Sequence, residues 1–381
     1  MDPTFPPGAS PGTPFIPPGP EELAAAIARL SRASVLVVGD AMLDRYIYGT
    51  VSRISPEAPV PVLAVHNELS LPGGAANVVR NLGALGVGVA FVSVVGDDQA
   101  GSDLTGLIGG QPGVEPWLLV QGGRVTTLKT RFVVQAGPAS RQPQGSGHPQ
   151  GAGQPAGHQL MRADREDIRP IHPKLVDRLL RIATDAMAAT SVTVLSDYRK
   201  GVLGDDVPAR LIAAARAAGR RVVADVHGPD HGRYAGADVV VIAARDLVDA
   251  HGLPVDDDAT LAELVGALRR QHGFGAVLAM RGADGISLLD GDGHVHFPAE
   301  PTAIFDIAGT NDTASAVLGA ALATGASLRL AACLANLAAS LVVGKIGTAV
   351  VREHDLLAAV GAPVPARSLE PVPTAELMNH R

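Results

Sequence analysis

The stretch "SVLVVGDAMLDRYIYGTVSRISPEAPVPVLAVHNELSLPGGAANVVRNLGALG", residues 34–86, passes through three patterns in succession, and together they decide the fold. Its first seven residues, "SVLVVGD", form an apolar β-branched run that ends in an acid, as a parallel strand buried on both faces does. Residues 46–68 then alternate and contain three prolines, which suits strands that leave the main sheet as a small lid. Residues 71–86 close the stretch with two adjacent glycines and a small-residue helix pattern. Gly73 and Gly74 would let a ligand approach the backbone there, with Asn77 in the first helical turn; an unliganded strand-to-helix turn reads as well.

Working outward, "EELAAAIARL" from Glu21 has the spacing of an amphipathic helix. Downstream, "VTVLSD" (192–197), "RRVVADV" (220–226), "ADVVVIA" (237–243) and "GAVLAMRG" (275–282) are short β-branched runs. Alanine-rich helices such as "DDVPARLIAAARAAG" (205–219) separate them, so the repeated strand–helix unit predicts α/β architecture with a mostly parallel sheet. "TTLKTRFVVQ" (126–135) adds a second lid segment, and residues 136–158, rich in Gly, Pro, Gln and Ser, read as a flexible insertion. Residues 1–20 read as a disordered Pro-rich leader, 21–360 as one domain and 361–381 as a tail.

The chain has 381 residues and 46% apolar content, enough for a large core. Its formal charge of -7 and scattered basic residues give no footprint for nucleic acid or a membrane surface. No apolar run reaches the ~18 residues that cross a bilayer, and the N-terminus lacks the basic and apolar regions of a signal peptide, so a cytoplasmic location is expected. The single cysteine, Cys333, excludes an internal disulfide framework and reads as a small buried hydrophobe.

Chemistry concentrates in four places. "VVGDAMLDRY" puts Asp40 and Asp44 just past a strand end, where ligands of open α/β sheets bind, although a solvated acidic loop fits too. Lys129 and Arg131 stand two apart on one strand face, and Arg162 and Asp164 repeat the spacing across the insertion. Such cations could hold a sugar phosphate or merely form an exposed charged face. In "FDIAGTNDTASA" (305–316), the amides of Gly309, Thr310 and Asn311 at a helix start could stabilise a transferring phosphoryl group while Asp312 accepts a proton. Taken alone, an ordinary acid in a first helical turn is the simpler reading.

The order of these motifs alters that balance. "GDAMLDRYIYGTVSRISPEAPVPVLAV", "PGGAANVVRNLGALG", "VLSDYRKGVL", "GADGISLL" and "ANLAASLVVGKIGTA" together resemble the ribokinase-like sugar kinases of the PfkB group. Within that group they are most similar to the bacterial D-glycero-β-D-manno-heptose 7-phosphate kinases, from about Glu21 to Val360. The resemblance implies a three-layer α/β sandwich with a β lid, dependence on ATP and Mg²⁺ with K⁺ as a further cation, and a homodimer formed through the lid. It implies phosphorylation of the C1 hydroxyl, with Asp312 as catalytic base and 309–311 as the anion hole. Asp44, Gly73, Gly74, Asn77, Lys129, Arg131 and Arg162 fall on substrate positions. Ala243, Asp246, Arg281, Gly285 and Asn336 fall near the nucleotide pocket, and Asp306 on a monovalent-cation position.

Four departures from the family pattern stand out. Asn311 replaces a glycine of the catalytic turn; if that position needs positive φ, asparagine costs on the order of 1 kcal/mol. Ala243 and Asp246 stand where the family has Asn-x-x-Glu, and His227 where a lysine is common. The C-terminal stretch is too short for the nucleotidyltransferase domain of many relatives. A kinase-fold protein that binds sugar phosphate without turnover, and a kinase for another phosphorylated sugar, are therefore carried as alternatives.

Overall fold

The computed structural model describes residues 16–135, 157–251, 257–299, 308–344 and 349–363. In chain order, α1 (Pro20–Ile27) leads to β1 (Ser34–Gly39), a long hairpin of β2 (Ala41–Ile54) and β3 (Pro61–Gly74), α2 (Ala75–Ala84), β4 (Gly88–Gly96) and α3 (Gln99–Gly109). Next come β5 (Val114–Gln121), β6 (Leu128–Gln135), β7 (Gly157–Arg165), α4 (Pro173–Met187), β8 (Val192–Asp197), α5 (Val207–Ala217) and β9 (Arg221–Val226). The chain continues through β10 (Val239–Ala243), α6 (Ala244–His251), α7 (Asp258–His272), β11 (Ala276–Met280), β12 (Ile286–Asp290) and β13 (Gly293–Phe297). Three helices follow: α8 (Thr310–Ala323), α9 (Leu328–Val343) and α10 (Glu353–Ala359).

Among the described residues the main sheet runs β13-β12-β11-β10-β9-β8-β1-β4-β5, parallel except at the β11–β12 and β12–β13 pairs. Strand β1 explains the three layers. Val35 and Val37 point into one core with Val78, Leu104, Val317 and Leu334 from α2, α3, α8 and α9. Leu36 and Val38 point into the opposite core with Leu179, Leu211 and Leu261 from α4, α5 and α7. All four strand side chains are 0% exposed, so truncating Leu36 to alanine would cost about 2–5 kcal/mol. The sandwich expected from the sequence is thus formed, and the β-branched runs read as strands fall on β1, β8, β9, β10 and β11.

The lid is a second sheet, ordered β3-β2-β6-β7, with β2–β6 parallel and the outer pairs antiparallel. Its hairpin reaches further than the alternation at 46–68 indicated, because residues at 41–44 and 72–74 are buried where the strands enter the body. The strand β7 is an edge whose residues 158–165 are all exposed, its adjacent Leu160 and Met161 included, so no apolar alternation marks it. The body holds the lid at its root, where Thr126 N–H donates to Oδ2 of Asp98, the N-cap of α3, just before Leu43 N–H and the Thr127 carbonyl begin the β2–β6 pairing. The expected leader and tail lie largely outside the described residues, as does the insertion at 136–158 except its last two positions, which belong to β7. Among the described residues no helix is long and apolar enough to cross a membrane.

Candidate active site

The helix α8 carries small residues on every side, and from Asp312 to Leu322 each one is buried between the sheet, α2 and α9. Its N-cap, Gly309, has φ +78°, a left-handed conformation that glycine adopts without strain. Asn311 lies inside the helix, and the non-glycine residues with positive φ among those described are Arg199 and Asp205. The backbone penalty considered for asparagine at 311 is therefore absent. Helix geometry leaves the first-turn N–H groups without intrahelical acceptors, which makes this end an anion site by construction.

Asp312 is 2% exposed, and both of its oxygens are engaged. Asn77 Nδ2 donates to Oδ2 at 2.8 Å, and the Tyr198 hydroxyl donates to Oδ1 at 2.6 Å. Burial pushes the Asp312 carboxyl up to about 7, the Asp225 charge adds to the rise, and the two donors oppose it. A carboxylate poised there can take a proton at neutral pH.

The local sequence explains how the two donors arrive. Gly74, the N-cap of α2, has φ +58°, and a Cβ on Gly73 would collide with the Asp44 carboxylate. The paired glycines thus turn β3 directly into α2 and place Asn77 one turn in. Asn81, four residues on, donates to the Asn77 carbonyl at 3.0 Å and accepts from Thr313 Oγ1 at 3.1 Å, which ties α2 to α8. Tyr198 comes from the loop after β8. The buried Asp40 carboxylate accepts the N–H groups of Tyr198, Lys200 and Val202, each at 2.9 Å, and Arg199 between them is held at φ +59°. Asp40, placed by sequence on the ligand side, is the peg around which this loop is wound. Burial, with the Asp197 charge, pushes its pKa up.

On the other side of Tyr198 the contacts are incomplete. The His227 ring lies 4.2 Å from the Tyr198 ring, centroid to centroid, with Nδ1 3.6 Å from Asp246 Oδ2 and Nε2 3.9 Å from Asp225 Oδ1. Asp225 Oδ2 accepts from Ser315 Oγ at 3.0 Å. Asp225 Oδ1 and His227 Nε2, both buried, have no hydrogen-bond partner among the described residues. Burial raises the Asp225 pKa; at His227 burial opposes the charged form, but Asp246 and Asp225 outweigh it and the pKa rises. Ala243 closes β10 with a methyl group and Asp246 sits in the first turn of α6.

No cluster of three metal-binding side chains exists among the described residues. The orphaned Asp225 oxygen and the Asp246 carboxylate are nonetheless hard donors. They fit a divalent ion that draws its remaining ligands from phosphates and water.

The remaining nucleotide-side positions have internal partners. Arg281 pairs with Asp258 and reaches Ser287 Oγ at 3.2 Å. Gly285, at φ +92°, leaves no room for a Cβ against the Phe297 carbonyl, and Asn336 Nδ2 donates to the Pro298 carbonyl at 2.8 Å. Together they brace the β11–β13 edge, which Asn336 ties to α9. Asp306 lies outside the described residues.

The cations of the lid are matched by acids. Arg131 Nη1 meets Asp44 Oδ1 at 2.6 Å and lies 5.2 Å over the Tyr46 ring. Arg162 pairs with Asp164 at 2.9 Å, and Lys129 lies 3.3 Å from Glu166 and 3.5 Å from Asp164. Cys333 is a free, half-buried thiol whose pKa burial pushes up, which suits packing rather than nucleophilic attack.

Tyr198, His227's ring contact with it and Asp225 are the components that sequence reasoning left without a role. "VLSDYRKGVL" was the signal for Tyr198, since a tyrosine straight after a strand-ending acid lies on the ligand edge of the sheet.

A doubly covered, mostly parallel sheet whose strand ends meet a buried carboxylate, a helix N-terminus and a β lid is suited to phosphoryl transfer onto a small hydroxylated acceptor. The chain belongs to the pfkB family of carbohydrate kinases, whose description matches residues 32–138 and 157–355. The bifunctional protein HldE of Acidiphilium cryptum is 55% identical over 342 residues, and that of Paramagnetospirillum magneticum 45% over 343; both matches cover 89% of this chain. The chain spans 65% and 66% of the length of these two relatives. Among solved structures, Arabidopsis thaliana ribokinase complexed with ribose and ATP superposes with a TM-score of 0.62 at 19% identity, covering 86% of this chain and 98% of that one. Escherichia coli phosphofructokinase-2 in complex with potassium gives a TM-score of 0.64 at 15% identity, with the same two coverages. The fold is ribokinase-like, and the family implies ATP and a divalent metal as requirements.

Proposed function

We propose that this chain transfers the γ-phosphoryl group of ATP to the C1 hydroxyl of D-glycero-β-D-manno-heptose 7-phosphate, giving the 1,7-bisphosphate on the route to ADP-heptose. The observation that carries the reading is the fully engaged Asp312 carboxylate, gripped by Asn77 and Tyr198 and pushed up to about 7. The high identity to HldE proteins supports the choice of sugar. Asp312 takes the proton of the C1 hydroxyl as that oxygen attacks phosphorus, and the bond to the leaving ADP oxygen breaks. Amides at 309–311 donate to the phosphoryl oxygens, and Asp44, Gly73 and Asn77 contact the sugar. A divalent ion, which we take as Mg²⁺, would be held by Asp225 and Asp246 and would neutralise charge on the ATP phosphates.

Arg281, Gly285 and Asn336 act here as the frame of the nucleotide pocket, with Ala243 on its floor and Asp306 beside a K⁺ ion. A cytoplasmic location fits the acceptor and donor. The exposed apolar side chains of the lid, Val60, Val65, Leu160 and Met161, support a homodimer through it. A second reading, binding without turnover, draws support from the methyl group at Ala243, which offers no side-chain donor or acceptor at the end of β10.

Purified protein with Mg-ATP and heptose 7-phosphate, followed by ADP release beside an Asp312→Ala control, decides between them. Turnover well above the control is expected. Sugar-phosphate binding without turnover would support the second reading, and turnover of other sugar phosphates alone would redirect the substrate.

A further inference from the structure

Ion pairs join the lid to the body at two places among the described residues: Arg45 of β2 meets Asp103 of α3 at 3.4 Å, and a second contact gathers two lysines on one carboxylate. Glu166, the residue after β7, receives Lys129 Nζ from β6 at 3.3 Å on Oε1 and Lys200 Nζ from the loop after β8 at 2.8 Å on Oε2. One ammonium group comes from the lid sheet and the other from a loop of the body, and each lysine side chain is only 16% exposed. Like charges brought this close and partly out of water repel unless an anion lies between them. Glu166 is the anion the two lysines share, and among the described residues its carboxylate pairs with nothing else; Lys129 alone has a further acid, Asp164, at 3.5 Å.

Lys200 is built into place. Its N–H is held by Asp40, its carbonyl accepts from the Arg124 guanidinium, and it stands between Arg199 at φ +59° and Gly201 at φ +89°. Glu166 is built to let go. The next residue, Asp167, is clamped by Arg169 and by Arg124 through its carbonyl, so the backbone stays fixed while the exposed glutamate side chain can rotate away. Lys129 is the register partner of Asp44 on the lid, and Tyr198, two residues before Lys200, holds Asp312.

We propose that Lys200 and Lys129 form the receptor for a phosphate monoester on the acceptor sugar, and that Glu166 is a resident competitor which the phosphate displaces. This rests on the acceptor being a sugar phosphate. A phosphate monoester offers nearly two charges and three acceptor oxygens against one charge and two oxygens for the carboxylate, so it bridges two ammonium groups better. The loop from Tyr198 to Lys200 then sets the span between the hydroxyl at Asp312 and the distal phosphate. Acceptor specificity follows from that span.

The test uses the full chain, Lys200→Met, Lys200→Arg and Glu166→Gln, with kinetics on heptose 7-phosphate and on unphosphorylated heptose. Calorimetric binding of sedoheptulose 7-phosphate and fructose 6-phosphate is measured alongside. Lys200→Met should raise KM for heptose 7-phosphate by about 10- to 100-fold, leave KM for ATP within about twofold, and erase the preference for the phosphorylated sugar; Lys200→Arg should restore part of it. Glu166→Gln should lower that KM by about 2- to 5-fold, a gain that a merely structural ion pair does not give. Unchanged discrimination in Lys200→Met, or a raised KM in Glu166→Gln, overturns the proposal while wild-type turnover of heptose 7-phosphate leaves the assigned function intact. Should the wild type ignore heptose 7-phosphate yet bind another sugar phosphate in a Lys200-dependent way, the assigned substrate falls and the receptor stands.

Discussion

The two halves of the cleft differ in how complete they are. Around Asp312, Asn77 and Tyr198 supply a donor to each carboxylate oxygen, and Asn81 and Thr313 lock the helices beneath. Around Asp225 and His227, Asp225 Oδ1 and His227 Nε2 are buried without hydrogen-bond partners among the described residues, and the Ala243 side chain offers nothing to a metal or to water; on the acceptor side Asn77 Oδ1 alone is left in that state. In the proposed reaction the chain itself holds both oxygens of the base, and the acceptor sugar would complete Asn77, whereas the donor half would depend on what the nucleotide and its cation bring. Buried polar groups without partners are costly, so they persist where a ligand completes them.

The sharpest way to break this contrast is at Asp312. Asp312→Asn keeps the shape and the Asn77 side of the site but removes the proton acceptor, and kcat should fall by about 10²–10⁴. A smaller loss, about 10- to 100-fold in kcat, is expected for Tyr198→Phe and Asn77→Ala, each of which removes one hydrogen bond to a charged group. On the donor side, Ala243→Asn should lower KM for ATP by about 2- to 10-fold, because it adds one amide where water and metal need partners. Unchanged ATP kinetics in that variant would mean that the donor half is already complete.

Stability offers a weaker but independent check. Burial raises the Asp312 pKa from 3.8 to about 7, so folding favours the protonated acid. The sign follows: stability from this group is full below its unfolded pKa and is lost as pH rises through the folded one. Asp312→Asn should therefore melt at nearly the same temperature as wild type near pH 4 and several degrees higher above pH 7, by calorimetry. The smallest effect is expected at Asn311→Gly. Its position is helical rather than left-handed, so kcat should change by no more than about twofold.

Much of this molecule was legible in the sequence, for identifiable reasons. The strands β1, β8, β9, β10 and β11 are buried on both faces and had to be continuous apolar runs. Asp312, Asn77 and the paired glycines lie in local turns whose chemistry is written within a few residues. Strand β7 could not be read that way, because an edge exposed on both faces needs no pattern. Tyr198 meets Asp312 across 114 positions, and Lys200 meets Glu166 across 34. Such pairings arise from loop geometry set by Asp40, which no periodicity encodes. The lid cations and the acids Asp44 and Asp164 were visible, but not that they neutralise one another, nor that Glu166 joins them.

The central claim is that Asp312 is a general base brought near neutrality by burial and restrained by Tyr198. The pH profile of kcat/KM for heptose 7-phosphate, taken for wild type and Tyr198→Phe, tests it most directly. Wild type should rise through a single ionisation near pH 7 and level off above it. In Tyr198→Phe the inflection should move to higher pH, since the lost hydroxyl had favoured the charged carboxylate. A flat profile across that range, or an inflection that Tyr198→Phe leaves in place, would contradict it.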